Sequence, residues 1–397
     1  MRGQTRVVIT GLGVVCAAGW DLDTVWERLL AGGDGAVPPF LDGFPERDFF
    51  DQTDIRRTAH FARLSVAAAV QALRDAGLPE GPPTDVASER AAVIVGSGYG
   101  SPEIIETQAL KLHTRGPQHV HPLVISLGMP NAPASAISRR FGWTGQSENV
   151  SSACATGASA IGSAARLVNH GYADRVLAGG GDGGRTEIIA HGLRRLGVIS
   201  KSGRMRPFDT HRDGFLAAEG AGIVVLESLD VARARGAHIY GEILGYAGGA
   251  DASGLTAPEG EGAIRCINQA LANAGVAATS ITHFHAHGTA TELNDIAEAA
   301  AFRAVSPHAP PLTTGIKGVV GHSGGGAGAI QTIAVALTIQ HGLIPPTAGC
   351  TEPDPALGLD VVVGSPRRWT PGNVLSMSLG LGGHNAALVI GPPPSQQ

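Results

Sequence analysis

The sequence predicts an α/β fold made of two similar halves, and three observations carry that prediction. Compact apolar strands alternate with helical runs, the pattern of helices packed on sheets. A strand leading into glycines, Arg6–Ile9 followed by Gly11-Leu-Gly13, has a counterpart in Ile239–Tyr246. Each half also places a small-residue helix after a glycine- or serine-rich turn, one ending near Asn169 and one spanning Gly326–Gln340. No residue-level repeat accompanies this repeated order. The halves meet near residue 236, giving 1–236 and 237–397.

Taken in order, Asp23–Leu30 reads as a short helix, and residues 33–58, rich in Pro, Gly, Asp and Phe, as an irregular loop. Phe61–Ala76 has helical periodicity and stops at Gly77. Ala91–Val95 is a buried strand before Gly96-Ser-Gly-Tyr-Gly100. Residues 101–136 hold short helices broken by Pro117, Pro122, Pro130 and Pro133. Arg175–Ala178 and Gly222–Leu226 are strands, and Leu229–Arg235 is a closing helix. In the second half, Gly262–Ala274 and Asp295–Val305 are helices, Thr282–His285 is a strand, and Val374–Met377 and Ala386–Ile390 close the sheet. The tail Pro392–Gln397 is expected to fray.

A chain of 397 residues with 43% hydrophobic and 16% charged residues can bury a large core. Its net charge of −5 gives no general attraction to nucleic acid. Arg139-Arg140 and Arg194-Arg195 are local basic pairs, readable as solvated faces or as docking points for an acidic partner. No apolar run approaches the roughly 20 residues of a membrane span, and no signal peptide is evident. Cys16, Cys154, Cys266 and Cys350 lack metal-like or disulfide-like spacing, which fits a reducing cytoplasm.

The most informative stretch is Val150-Ser-Ser-Ala-Cys-Ala-Thr-Gly-Ala-Ser-Ala-Ile-Gly162. Small residues flank Cys154 and let other backbone approach its sulfur. A helix starting at or just after it would aim amides at the sulfur and favour a thiolate. A lone Cys in a helix otherwise reads as structural. Ser152-Ala-Cys-Ala-Thr156 resembles the nucleophile segment of the β-ketoacyl-acyl-carrier-protein synthases, the condensing enzymes of fatty-acid and polyketide synthesis. Four further segments agree in order and spacing. They are Arg206-Pro-Phe-Asp209 with Arg212-Asp-Gly-Phe215 and Glu219-Gly-Ala-Gly222; Ala286-His-Gly-Thr-Ala-Thr291 with Asn294-Asp295; Lys317 with Gly321-His322; and Gly380-Leu-Gly-Gly383 with Asn385.

The resemblance implies a thiolase-like fold, two halves in a five-layered α-β-α-β-α sandwich. It implies that Cys154 takes the acyl group, and that His287 and His322 donate hydrogen bonds to the enolate left when a malonyl thioester loses carbon dioxide. It makes Lys317 the buried lysine that supports the two histidines, with Asp295 and Gln331 in its network. The backbone N–H groups of Cys154 and Leu381 form the oxyanion hole. Thr289 and Thr291 hold the phosphopantetheine arm, and Leu379 and Leu381 line the approach. No metal and no cofactor is implied, since substrate arrives on acyl carrier protein. The implied assembly is a homodimer, or a heterodimer with a chain-length-factor-like subunit.

Three departures stand out. Gln331 replaces a Glu nine residues after His322; Leu379 and Leu381 replace two phenylalanines of Met377-Ser-Leu-Gly-Leu-Gly-Gly383; and Gly324-Gly-Gly326 replaces bulkier residues. These point to a specialised synthase. They also keep open an acyltransferase or cyclase that does not decarboxylate, and a non-catalytic partner subunit. Two unrelated readings remain. His283, His285 and His287 alternate along a strand and could share a face toward a metal, as in a metal-dependent hydrolase. Gly321-His-Ser-Gly-Gly325 matches the G-x-S-x-G nucleophile elbow.

Overall fold

The computed structural model describes residues 5–184, 186–252, 260–307 and 310–395. The first half runs β1 (Val7–Cys16), α1 (Leu22–Ala31), α2 (Gln52–Arg57), α3 (His60–Asp75), β2 (Ala91–Gly96), α4 (Pro102–Arg115), α5 (Val124–Gly128) and α6 (Ala132–Phe141). It continues with β3 (Ser147–Glu148), α7 (Thr156–Asn169), β4 (Arg175–Asp182), α8 (Glu187–Leu196), β5 (Gly220–Ser228) and α9 (Leu229–Ala234). The second half runs β6 (Gly241–Ala250), α10 (Glu261–Ala274), β7 (Ile281–His285), α11 (Glu292–Val305), β8 (Leu312–Thr314), α12 (Lys317–Val320) and α13 (Ala327–His341). Then come β9 (Leu343–Ile344), β10 (Asp360–Val361), β11 (Arg367–Arg368), β12 (Asn373–Gly380) and β13 (His384–Gly391).

The strand order exposes the internal likeness. The first half reads β1-β5-β4-β2-β3 and the second β6-β13-β12-β7-β8, with β10 added at the edge. The senses match as well. In each half the last strand is antiparallel to both its neighbours, while the two strands beyond pair in parallel. The halves join through β1 and β6, where Val8 pairs with Glu242 and Ile9 with Gly241. Helices α3 and α6 cover the outer face of the first five strands, and α10 packs on the outer face of the second set. Helix α7 contacts strands of both halves, and α13 lies against it and against β5 and β12. That gives the five layers, with α7 and α13 in the middle.

Position explains composition. Helix α13 is buried from Ala327 to Ile339, as a helix enclosed between two sheets must be. Helix α10 buries only one stripe, including Ala263, Cys266, Ile267 and Ala270. No helix among the described residues is long and apolar enough to cross a membrane.

The structure revises several sequence expectations. Gly11 and Gly13 are not a turn: β1 runs through them to Cys16. A side chain at Gly13 would overlap the Ala68 carbonyl of α3, and one at Gly245 would overlap the Ala270 carbonyl of α10. In both halves, then, glycine lets an outer helix sit directly on the strand. Pro133 does not break a helix but lies in the first turn of α6, where its missing N–H costs nothing. The loop at 33–58 contains α2, capped by Asp51 accepting from Thr53 N and Asp54 N. Helix α8 buries none of its residues, although Ile188, Ile189, Leu193 and Leu196 recur along it at helical spacing.

Candidate active site

Cys154 lies two residues before α7, in a turn closed by Ala155 N donating to Ser152 O at 3.1 Å and Thr156 N to Ala153 O at 3.1 Å. Ala153 sits at φ 50°, a left-handed conformation that is uncommon for a residue with a side chain. Such strain persists only where the surroundings impose it. Here they do, because β12 ends against this turn: a side chain on Gly380 would stand 2.5 Å from Ser152 O. The close approach brings the Leu381 N–H onto the Cys154 sulfur.

Desolvation opposes the thiolate that helix geometry alone would favour. Burial pushes the Cys154 thiol up to about 11, while Lys317 and the Leu381 amide pull the other way without winning. Desolvation penalises the charged form more than nearby dipoles repay it.

The second half supplies the rest. His287 follows β7 in a loop fixed from below by Glu298 of α11. That carboxylate accepts from His287 N at 2.5 Å and Gly288 N at 2.9 Å. One turn earlier on the same face, Asp295 accepts from Phe208 N at 2.8 Å. Thr289 and Thr291 are joined through their hydroxyls at 2.8 Å. His322 is clamped by backbone, its N donating to Leu216 O at 2.8 Å and its O accepting from Ala218 N at 3.1 Å. The His322 and His287 rings face each other, with centroids 5.5 Å apart and planes at 84°.

Lys317 opens α12 with its side chain buried. Its Nζ donates to the His287 carbonyl and to Gln331 Oε1 at 2.9 Å, and lies 3.3 Å from His287 Nδ1. Gln331 in turn donates to Ala286 O at 3.2 Å and Met377 O at 3.0 Å. Burial pushes Lys317 down to about 8 against the pull of Glu298, and pushes Glu298 up to about 7. It also takes His322 down to about 3 and His287 well below the ordinary imidazole range, Lys317 adding to both. Both rings are therefore neutral at physiological pH, each able to donate one hydrogen bond.

His287, His322, Lys317 and Gln331 thus meet from elements spread over the chain, with Cys154 and Asp295 in electrostatic reach of Lys317; Thr289 and Thr291 follow His287 in the same loop. Leu381 stands at the rim, 43% exposed. Leu379 does not join them: alternation along β12 turns it, with Leu375 and Met377, into the outer core beside Phe284. It is a packing residue and does not line the approach.

Two competing readings fail on geometry. Among the described residues no three His, Cys, Asp or Glu side chains are placed to hold a metal ion. His283 Nδ1 instead donates to Leu312 O at 2.8 Å. Ser323 is buried and its Oγ has no hydrogen-bond partner among the described residues, so no base activates it as an elbow serine would need.

Sequence reasoning passed over Glu298 and Asp182. Glu298 was detectable: with Asp295 it puts two acids one turn apart on a helix otherwise rich in alanine. Asp182, at the end of β4, accepts from the Ser97 hydroxyl, from Gly98 N at 3.1 Å and from Gly325 N at 2.6 Å. It ties three loops around the cysteine. Gly324 follows from it, since a side chain there would stand 2.6 Å from the Asp182 carboxylate, whereas one on Gly326 would meet the Gly220 carbonyl at 2.4 Å.

The first part of the chain, residues 40–232, matches the family model for the β-ketoacyl synthase N-terminal domain, and residues 240–351 match that for the C-terminal domain. The chain belongs to the β-ketoacyl synthase family. A 3-oxoacyl-(acyl-carrier-protein) synthase 2 of Rhizobium meliloti is 37% identical, covering 97% of this chain and 98% of that one. Its namesake from Synechocystis sp. is 35% identical over 98% of each. Among solved structures, the ishigamide ketosynthase/chain length factor superposes with a TM-score of 0.92 at 34% identity, covering 99% of this chain and 100% of that one. A type II polyketide synthase acyl-carrier protein in complex with its ketosynthase bound to the hexaketide gives 0.89 at 28% identity, covering 98% and 100%. The thiolase-like architecture expected from the motifs is the fold found.

Within this β-ketoacyl synthase, the replacement of Glu by Gln at 331 has a visible consequence. A carboxylate could accept from Lys317 but could not donate to the Ala286 and Met377 carbonyls. The carboxamide does both, fastening three segments of the site to α13.

Proposed function

We propose that this β-ketoacyl synthase transfers an acyl group from acyl carrier protein to Cys154 and extends it by decarboxylative Claisen condensation with malonyl carrier protein. The observation that carries the reading is the facing pair of neutral imidazoles, His287 and His322, 5.5 Å apart beside Lys317. Their N–H groups stabilise the enolate oxygen as carbon dioxide leaves. The backbone N–H groups of Cys154 and Leu381 receive the thioester oxyanion. Thr289 and Thr291 hold the phosphopantetheine arm, and no metal or other cofactor enters any step. Glu298 positions the loop that carries His287, Asp295 holds the Phe208 backbone, and Gln331 orients Lys317.

The exposed Leu381 favours a polyketide or specialised fatty-acid substrate over a plain saturated chain. The assembly is a homodimer or a heterodimer with a chain-length-factor-like subunit, in the cytoplasm, with halves 1–236 and 237–397. Arg194 and Arg195, exposed in the last turn of α8, offer an acidic carrier protein a place to dock.

Intact-mass measurement tests the reading. Acyl carrier thioesters should add one acyl group at Cys154, and malonyl carrier should then discharge it with release of carbon dioxide. Loading without discharge would leave an acyltransferase that does not decarboxylate. No loading from any carrier thioester would refute the proposal.

A further inference from the structure

The mechanism leaves unused a band of buried polar atoms between α13 and the β7–β12 pair. Alternation turns Phe284, Ala286, Leu375 and Met377 outward, so His283, His285 and Ser378 lie on the opposite, inner face of the sheet, on which α13 packs against β12. The contact is direct at one end, where a side chain on Gly328 would stand 3.1 Å from Ser378 Oγ. His285 is fully buried, and neither of its ring nitrogens has a hydrogen-bond partner among the described residues. The same holds for His283 Nε2, Ser378 Oγ and Thr338 Oγ1. Buried polar atoms are rarely left dry, and a cluster of orphans on one interface is the signature of ordered water.

The band has two ends. Inward it meets Gln331, which donates to the carbonyls of Ala286 and Met377 and accepts from Lys317. Thr338 lies two turns further along the same face of α13. Outward the band reaches His283, whose ring stands 5.8 Å from the half-buried Trp369, itself bonded to Gly342 at the C-terminal end of α13. The His283 and His285 ring centroids are 6.1 Å apart, edge to face.

The proposed reaction needs such a route. As carbon dioxide leaves, its C–C electrons form the enolate. The enolate carbon attacks the thioester carbonyl, a C–C bond forms, and the C–S bond breaks with its electron pair on Cys154 sulfur. Loading is proton-neutral, because the thiol proton leaves on the departing carrier thiol. Condensation is not: the thiolate must take up one proton per cycle to return to the thiol. At that moment the carrier arm fills the mouth of the site.

We propose that the seam between α13 and the β7–β12 pair holds a water chain that brings this proton from the Trp369 side to Lys317, with His285 as the side chain that passes it. Burial keeps His285 neutral, so one nitrogen donates while the other accepts, and tautomer exchange relays a proton without a buried charge. His283 acts differently. Its Nδ1–H is committed to Leu312 O, leaving Nε2 to accept from water and orient it.

The inference rests on the condensing reading above, and rapid-quench kinetics separate the two. Product and carbon dioxide are followed through the first and later turnovers with acyl and malonyl carriers, in light and heavy water. His285→Leu should leave the first turnover unchanged and slow later ones by roughly a hundredfold, the solvent isotope effect appearing only in the later phase. Thr338→Val, nearly isosteric, should show the same split to a smaller degree, and decides the matter if the His285 variant does not fold. First and later turnovers falling by the same factor, or not at all, overturn the relay. Wild-type protein that releases no carbon dioxide overturns the condensing reading instead.

Discussion

Helices α7 and α13 occupy matching places in the two halves, yet their N-terminal ends do opposite things. The α7 end is half-exposed and strained at Ala153, and presents the Cys154 sulfur. The α13 end is buried, and is built from a glycine turn, Gln331 and the neighbouring Lys317 and His322. Where the helices touch, Gly157 faces Ala329 and Gly328 faces Ala158, and a side chain at either glycine would meet backbone at 2.5 or 2.6 Å. One scaffold thus offers two helix ends side by side. The difference teaches a division of labour: one end presents the sulfur proposed to carry the acyl group, while the other fixes the charge and hydrogen bonding around it.

The sharpest way to break this division is at the sulfur. Cys154→Ala should abolish the acyl adduct in intact-mass spectra, while substitution of the buried Cys16, Cys266 or Cys350 leaves it. An adduct surviving in Cys154→Ala would move the chemistry away from the α7 end.

The α13 end should fail differently. His322→Ala should still load acyl groups but release carbon dioxide from malonyl carrier roughly 150-fold more slowly, matching about 3 kcal/mol of lost transition-state stabilisation. Equal release by variant and wild type would take His322 out of the decarboxylation step.

A smaller effect sharpens the role of charge. Lys317 is held at about 8, below its ordinary 10.5, mainly by burial. The folded state therefore binds fewer protons than the unfolded state between those values, and stability rises with pH across that window. Its depressed value costs stability below about pH 8 and nothing above 10.5. Gln331→Glu places a carboxylate against the ammonium, beside Glu298 and Asp295, and should raise the lysine value. The basic limb of the carbon dioxide-release profile should then move to higher pH. A limb that stays put would mean that residue 331 acts through its two carbonyl contacts alone.

The smallest change is expected at the rim. Leu381→Phe should lower loading of a bulky acyl carrier while a straight saturated one survives. Leu379→Phe, in the outer core, should instead cost about 1–3 kcal/mol of stability by overpacking and leave selectivity alone. Equal change for both acyl chains in Leu381→Phe would remove the substrate argument drawn from its exposure.

Much of this protein was legible in the sequence, because catalytic chemistry constrains short local runs. The segments around Cys154, His287, Lys317 and His322 could be quoted residue by residue. The two-half organisation showed in the order of strands and helices, since each sheet needs its own apolar strands and covering helices. What the sequence could not supply was anything set by through-space contact. Gly11 and Gly13 read as a turn because their reason for being glycine, the backbone of α3, lies more than fifty residues away. Leu379 and Leu381 look equivalent in the chain, and only the end of β12 at Gly380 separates them: Leu379 still packs in the core, while Leu381 lies beyond the strand, at the rim. The influences on Cys154 divide in a related way: a helix end is a local feature, but desolvation depends on everything folded around the sulfur. Sequence determined which groups this protein has for its chemistry; tertiary structure decided their charge, their orientation and their partners, because burial and distance arise only once the halves have packed.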